Sequence, residues 1–380
     1  MTRRFRQTMK GSFFGDFVYD QVVPKDHFLM QLDKIIDWTP FTTMLVKYYK
    51  GEAERGEVPY DPVVILKMLF LTYLYNMSER QIEDYCNFYM PAKAFIGLGV
   101  AEKAPDHSTL TVFKVRLLKK DGIDAFAKMF DMIVAQAQSS GVVFGKVQLV
   151  DAVHTVADVN VEKDRRRQEQ GKPLADPDAE VVQKGTREVT KPDLTTKVEK
   201  VIHRGYKTHV SMDAESGIVT SIKPTLGSVD DRTQMPDLVK HDAKLGIPAE
   251  TYAADRGYDD GDLHEMLWAL KKHSALKLND IRTQKKDPNK EPWLTLIADS
   301  FYKAGLRLRY RIERKFGEAK AWHHLNRCRY RGLLRFKVQS YLTFMVLNIK
   351  RIVLLVTNTR MRPLAKHLKS AQGVTAPIAG

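Results

Sequence analysis

The spacing of hydrophobic residues changes near Gly141, and this change constrains the fold of the 380-residue chain more than any other feature. Upstream of it, apolar residues recur at the three- and four-residue steps of an α-helix, for example at Val63, Leu66, Phe70, Tyr73 and Met77. Downstream, short β-branched runs alternate with helical patterns, which is typical of a mixed sheet flanked by helices. We therefore predict an all-α N-terminal domain over 1–140, an α/β domain over 141–357 and a disordered tail over 358–380.

The N-terminal third carries clear helix starts. Asp61 and Pro62 combine an N-cap acceptor with proline at the first helical position, and Ser78 and Gln81 have the spacing of a capping box. Short helices with basic faces suit a helix-turn-helix-like module that contacts DNA. They suit an ordinary helical bundle equally well, so a role in DNA binding or dimerisation depends on what the rest of the chain does.

Two predicted strands of the α/β domain end in a carboxylate. The run from Lys146 to Val153 carries Asp151 near its end, and the run from Thr251 leads directly into Asp255. Between them, two alternating runs around Gly217 predict a β-hairpin. Because ligands of open α/β sheets bind beyond the carboxyl ends of the strands, the two aspartates mark the expected site.

A charged insertion over about 162–200 interrupts this pattern. No Phe, Tyr or Trp occurs between Gly145 and Gly205. Such a composition buries little surface, which predicts an exposed and mobile segment.

The composition narrows the class of partner and the compartment. A formal charge of +15 favours a polyanion. Two cysteines without Cys-x-x-Cys spacing argue against a zinc ribbon or a disulfide scaffold. The N-terminus lacks a signal-peptide stretch, and both apolar runs are short or interrupted by charges. We expect a soluble, cytoplasmic protein that uses no membrane and no small-molecule cofactor.

A third carboxylate lies on a helix predicted over about 306–326. Arg309 precedes Glu313 by four residues and Lys320 follows it by seven, which places all three side chains on one stripe. From Lys303 to Arg351, fourteen Lys or Arg face two acidic residues, as in a track for phosphate groups. An isolated Arg-x-x-x-Glu is more simply a salt bridge on a solvated helix.

These segments resemble the signature of bacterial insertion-sequence transposases, in which Tyr, Arg, Glu and Lys are separated by two, three and six residues. Arg309, Glu313 and Lys320 match this spacing, whereas Leu306 occupies the tyrosine position. The resemblance covers roughly residues 10–357, and its other matching segments are 149–152, 205–209, 225–231, 254–258, 329–333, 347–351, 60–62 and 106–110.

The resemblance implies an RNase H-like catalytic domain of the DDE type. Asp151, Asp255 and Glu313 would ligate two Mg²⁺ ions, which Mn²⁺ can replace. Arg309 and Lys320 would hold the DNA end. The further predicted DNA contacts are Arg314, Arg327, Arg329, Arg331 and Lys207.

The predicted function is that of a transposase acting as a homodimer on double-stranded DNA. It would bind the terminal inverted repeats of an insertion sequence, hydrolyse phosphodiesters to expose 3′-OH ends and join them to target DNA. An RNase H-like nuclease without strand transfer and a catalytically silent DNA-binding derivative stay open as alternatives.

Other polar residues near these motifs have simpler interpretations. Asp231 begins the helix after the hairpin, so we predict that it acts as an N-cap rather than at the site. His154 follows Asp151 closely, but Mg²⁺ prefers oxygen ligands, which favours a structural role. His323 and His324 are adjacent and therefore point to different sides of a helix.

Overall fold

The computed structural model describes residues 5–6, 13–49, 58–190, 196–283 and 290–361. Its contacts divide the chain into two compact units, one of residues 1–116 with 353–380 and one of residues 117–352. This division, after residue 116, falls before the change in hydrophobic spacing near Gly141. The predicted domain boundary at residue 140 stays a prediction. Most of the predicted tail, from 362 onward, lies outside the described residues.

The first unit is helical, as predicted. Its helices are α1 (Phe13–Val22), α2 (Phe28–Ile35), α3 (Thr39–Val46), α4 (Pro62–Leu74), α5 (Glu79–Phe88), α6 (Met90–Ile96) and α7 (His107–Asp121), which runs past the division. Both predicted helix starts are confirmed. The Val63 amide donates to Asp61 Oδ1 over 2.9 Å, and the capping box of Ser78 and Gln81 forms at the start of α5.

The second unit contains a six-stranded sheet with helices around it. The strands are β1 (Val147–Val156), β2 (Glu180–Thr190), β3 (Thr196–Asp213), β4 (Val219–Leu226), β5 (Thr251–Ala254) and β6 (His273–Leu276). The helices are α8 (Asp124–Ser139), α9 (Val161–Glu169), α10 (Met235–Lys244), α11 (Gly261–Ala269), α12 (Glu291–Ala298), α13 (Ser300–Leu308), α14 (Tyr310–His323) and α15 (Leu333–Thr357), whose last residues belong to the first unit.

The strand order confirms the predicted fold class. Strand β1 is antiparallel to β3 and parallel to β5, β4 lies antiparallel on β3, and β6 lies parallel to β5. The resulting order β4–β3–β1–β5–β6 is that of an RNase H-like sheet, with β2 added as a hairpin on the first part of β3. Helix α13 packs closely on the parallel strands, because a Cβ on Gly305 would lie 2.6 Å from Ala275 Cβ.

The predicted helix over 306–326 is broken in two. Helix α13 ends at Leu308 and α14 begins at Tyr310, with Arg309 at the junction. The two pieces pack differently, since α13 lies mainly against β5 and β6 whereas α14 contacts β1. Helix α14 ends at His323, and the φ of 60° at the next residue, His324, takes the chain into the left-handed region.

The charged insertion is ordered, so the prediction of a mobile segment is wrong for the part that the structure describes. Buried carboxylates, rather than aromatic residues, anchor the insertion to the rest of the fold. Asp176 accepts a hydrogen bond from Tyr206 Oη over 2.7 Å and from the Gly332 amide over 3.2 Å. Asp164, which is 3% exposed, pairs with Arg204 over 3.1 Å.

Helix α15 is long and apolar enough to cross a membrane by length and composition alone. Its apolar window is 61% buried within the protein, and a core helix passes the same test. This burial is typical of a core helix.

Candidate active site

The sheet places Asp151 and Asp255 side by side. Leu149 of β1 is in register with Ala253 of the parallel strand β5, and each aspartate follows two residues later. Neighbouring strands lie roughly 4.8 Å apart, so the two carboxylates share one edge of the sheet. Asp255 ends its strand as predicted. Asp151 does not, because pairing with β3 extends β1 to Val156.

A tight turn orients the Asp255 side chain. The residue caps a single 3₁₀ turn, Arg256–Tyr258, and its Oδ1 accepts the Gly257 amide over 2.8 Å. A Cβ on Gly257 would lie 3.0 Å from that oxygen, so the glycine lets the backbone approach the carboxylate. Asp151 is held locally as well, since its Oδ1 accepts the Ala152 amide over 2.7 Å.

The carboxylates repel one another. Burial, followed by the negative charges of Asp255 and Asp231, raises the pKa of Asp151 to about 7 against the opposing effects of the Ala152 amide and Arg309. A carboxyl group that is held among like charges in this way is stabilised by a cation from outside the chain.

Asp231 belongs with these two residues, and its prediction as an N-cap is wrong. It precedes a 3₁₀ turn, but its side chain makes no capping hydrogen bond. Instead, Lys207 Nζ donates to Asp231 Oδ1 over 3.0 Å. His209 also faces this carboxylate, but burial and the neighbouring lysines lower the pKa of His209 to about 3, so that the imidazole is neutral. We call Asp151, Asp255 and Asp231 the acidic centre.

The start of α14 faces the acidic centre. Among the charged groups on this helix and at its junction, Arg309 has the largest effect on the pKa of Asp151, which its positive charge lowers. Glu313 lies on the first turn of α14 and is exposed, whereas Ile312 and Phe316 are buried, as the apolar stripe predicted. The structure therefore brings Asp151, Asp255 and Arg309 together, whereas Glu313 is exposed on the first turn of α14.

Lys320 lies farther along α14. It lines a cavity of about 210 Å³ together with His154, Val182, His203 and Asn326. His154, Thr155 and Val156 line this cavity at the end of β1, and none of the three aspartates does, so His154 belongs to the cavity and not to the acidic centre.

The basic residues divide into exposed and internally paired groups. Arg314, Arg327 and Arg331 are exposed, and the last two also contact Asp158, through its carboxylate and its carbonyl oxygen respectively. Arg329 is partly buried, and Lys207 is 8% exposed and paired with Asp231. The predicted roles of these residues in DNA contact stay predictions.

Four other Lys or Arg side chains between residues 303 and 351 bond to groups of the protein itself. Lys315 and Lys350 both pair with Glu318, over 3.5 and 2.6 Å. Arg311 and Arg351 donate to backbone carbonyl oxygens of Ala214 and Ser216. The excess of positive charge is therefore partly structural, and not all of it forms a track for phosphate.

A second group of carboxylates lies in the N-terminal unit. Among the described residues, Glu83, Asp106 and His107 form the group of three potential ligands whose ligating atoms all lie within 4.8 Å of one another. His107 Nδ1 is 2.7 Å from Glu83 Oε2, and the amides of His107 and Ser108 donate to the two carboxylates. We call this group the N-terminal cluster.

Two family models match most of the chain. The model described as "Transposase domain (DUF772)" matches residues 17–116, and the model described as "Transposase DDE domain" matches residues 176–349. Together they cover more than two thirds of the 380 residues, including Asp255 and Glu313. The chain belongs to the insertion-sequence DDE transposases.

Solved structures of other transposases are distant from this one. A piggyBac transposase synaptic complex with hairpin DNA is 10% identical, with all of this chain and 89% of that chain covered and a TM-score of 0.32. A Mos1 mariner paired-end complex with Mn is 8% identical, with 93% and 95% covered and a TM-score of 0.20. The family assignment rests on the two family models and not on these similarities.

DDE transposases use divalent metal ions, and the acidic centre of this transposase has the donor chemistry for them. Its side chains offer carboxylate oxygens, which hard divalent cations prefer. Burial, and then the like charges of Asp255 and Asp231, raise the pKa of Asp151, and a bound cation would favour its ionised form. Two ions spaced by roughly 3.5–4 Å need ligands that are spread more widely than those of a single-ion site.

Proposed function

We propose that this transposase cuts double-stranded DNA at the terminal inverted repeats of its insertion sequence and joins the exposed 3′-OH ends to target DNA. The observation that carries the proposal is the pair Asp151 and Asp255, in register on adjacent parallel strands and facing a helix start that carries Arg309. Excess positive charge on the chain supports DNA as the substrate, in the cytoplasm at the nucleoid.

In this proposal Asp151, Asp255 and Glu313 hold two Mg²⁺ ions, which Mn²⁺ can replace. The bound ions would neutralise the charge on the reacting phosphate and lower the pKa of the attacking water or 3′-hydroxyl. Water replaces the 3′-oxygen on phosphorus in the first reaction, and the freed 3′-oxygen replaces a target-strand oxygen in the second. No covalent bond to the enzyme is formed, so catalysis depends on position and charge.

The other site residues would position the DNA. Arg309 can form a bidentate contact to a phosphate next to the metal ligands. Lys320, about two turns beyond Glu313, would contact the terminal nucleotides, and the exposed Arg314, Arg327 and Arg331 would contact the backbone on either side. Since two element ends must be brought together, we propose a homodimer on DNA.

The test is a cleavage and strand-transfer assay on DNA that carries the element's own ends, with Mg²⁺ added last. We expect Glu313→Gln to bind this DNA like the wild type and to lose cutting and joining by roughly a thousand-fold, because one metal ligand loses its charge. Glu265→Gln, at an exposed glutamate of α11, is the matched control and should keep full activity.

Each alternative has its own outcome in this assay. Cutting without joining would indicate an RNase H-like nuclease. DNA binding without Mg²⁺-dependent cutting by the wild type would indicate a silent derivative. Full activity of Glu313→Gln would show that Glu313 is not a metal ligand.

A further inference from the structure

Tyr258 lies against the acidic centre but has no place in the chemistry described above. It ends the 3₁₀ turn that Asp255 caps, and its amide donates to the Asp255 carbonyl oxygen over 3.1 Å. The side chain is 1% exposed, so its hydroxyl is enclosed by protein.

The hydroxyl of Tyr258 lacks a hydrogen-bond partner among the described residues. Other buried tyrosines of this unit have one. Tyr252 donates to Asp242 over 3.3 Å, and Tyr302 accepts the Leu278 amide over 3.1 Å. Because buried hydroxyl groups are nearly always hydrogen-bonded, the Tyr258 hydroxyl is suited to bond a molecule that is not part of the chain.

The surroundings indicate what that molecule is. Burial, and then the charges of Asp231, Asp151 and Asp255, raise the pKa of Tyr258 well above its usual value, so the phenol keeps its proton. The hydroxyl therefore faces several carboxylates, yet it bonds to none of them directly. A water molecule can bridge groups that lie beyond direct hydrogen-bonding distance.

We propose that Tyr258 is a positioning residue of the metal site, whose hydroxyl oxygen accepts a hydrogen bond from a water molecule in the coordination shell of a divalent cation at the acidic centre. This inference rests on the proposed metal-dependent function and adds to it a residue that is not itself a metal ligand. Mg²⁺ keeps several of its waters when it binds to proteins, and a cation makes those waters strong donors. The neutral phenol suits such a water better than it suits direct ligation.

The experiment is a titration of the full-length protein with Mn²⁺ alone, in which free Mn²⁺ is followed by electron paramagnetic resonance. We expect Tyr258→Phe to bind Mn²⁺ about ten-fold more weakly than the wild type, as is usual when a group that orients the coordination shell is removed. Without metal, its melting temperature should equal or exceed that of the wild type, because the hydroxyl it loses has no partner.

Tyr302→Phe is the matched control, because it removes a hydroxyl that accepts a backbone amide. It should lower the melting temperature without metal and leave Mn²⁺ affinity unchanged. Asp255→Asn, tested alongside, should abolish high-affinity binding.

The outcomes separate this inference from the proposed function. Unchanged Mn²⁺ affinity in Tyr258→Phe, together with loss in Asp255→Asn, overturns the role of Tyr258 and leaves the metal site standing. A lower melting temperature of metal-free Tyr258→Phe would show a packing role and also overturn it. Absence of Mn²⁺ binding by the wild type would contradict the metal site itself and this inference with it.

Discussion

Two groups of carboxylates in this transposase differ in how their charges are satisfied. The N-terminal cluster contains its own donors, since backbone amides and the His107 ring lie against Glu83 and Asp106. The acidic centre also has donors, since Lys207 pairs with Asp231 and single amides donate to Asp151 and Asp255, but they do not offset the burial and the like charges around Asp151. Its members raise the pKa of Asp151, and the neighbouring Tyr258 hydroxyl has no partner among the described residues.

The difference shows that close ligand atoms do not by themselves indicate a metal site. The tighter of the two groups is the N-terminal cluster, with its atoms within 4.8 Å. Its hydrogen bonds already fix helix α7 to α5, which is sufficient to explain it. The acidic centre is looser, but the burial and the like charges that raise the pKa of Asp151 favour a bound cation there. We therefore expect metal-dependent chemistry at the acidic centre and a structural role for the N-terminal cluster.

The largest expected effect separates the two groups by activity. Asp255→Asn should reduce DNA cleavage by roughly a thousand-fold or more with DNA binding retained, because a metal ligand loses its charge while the Gly257 turn can persist. Glu83→Gln should cleave DNA at a rate within about two-fold of the wild-type rate, if it is assayed well below its melting temperature. Cleavage rates and DNA-binding constants measured in parallel check both. Equal loss of cleavage activity in Asp255→Asn and Glu83→Gln would contradict the assignment of catalysis to the acidic centre alone.

The next effect is stabilisation by metal. Mn²⁺ at about a hundred times its dissociation constant should raise the free energy of unfolding of the wild type by about 2.7 kcal/mol. Glu83→Gln should keep this gain and Asp255→Asn should lose it, as measured by chemical denaturation with and without Mn²⁺. A gain that disappears in Glu83→Gln would place the metal at the N-terminal cluster instead.

A pH-dependent effect follows from the raised pKa of Asp151. Between the unfolded value near 3.8 and the folded value of about 7, the folded state binds the extra proton, so stability falls as pH rises through this window. Without metal, Asp151→Asn should therefore be more stable than the wild type by up to about 4 kcal/mol above pH 7 and equal to it below pH 4. Denaturation curves in chelator across this range measure the difference. A variant that is less stable at pH 8 would mean that Asp151 is already compensated within the chain.

The smallest effect concerns the N-terminal cluster itself. Glu83→Gln should lower the free energy of unfolding by about 1 kcal/mol, since a charged acceptor of the His107 amide becomes neutral. Denaturation in chelator isolates this loss from any metal effect. An increase in stability would show that Glu83 carries uncompensated charge, as the acidic centre does.

Much of the fold was predictable because local signals agreed with the final structure. The N-cap at Asp61, the capping box at Ser78 and the hairpin around Gly217 depend on neighbours in sequence. Asp255 was also found from its place at the end of a short buried run. Its pairing with Asp151 followed from the general rule for parallel strands.

The remaining features depend on contacts between distant segments. The sequence predicts an N-cap at Asp231 because its partner Lys207 is 24 residues away on β3 and no local pattern connects the two. The insertion was expected to be mobile because it lacks aromatic residues, yet Asp176 reaches Tyr206 and Gly332. Tyr258 gave no signal in the sequence, because an unpartnered hydroxyl can be recognised only once its surroundings are known.

The most direct test is to locate the metal. Crystals of the full-length transposase soaked in Mn²⁺ should show anomalous difference density beside Asp151 and Asp255, and none at Glu83, Asp106 and His107. Density at the N-terminal cluster with none between Asp151 and Asp255 would contradict the account.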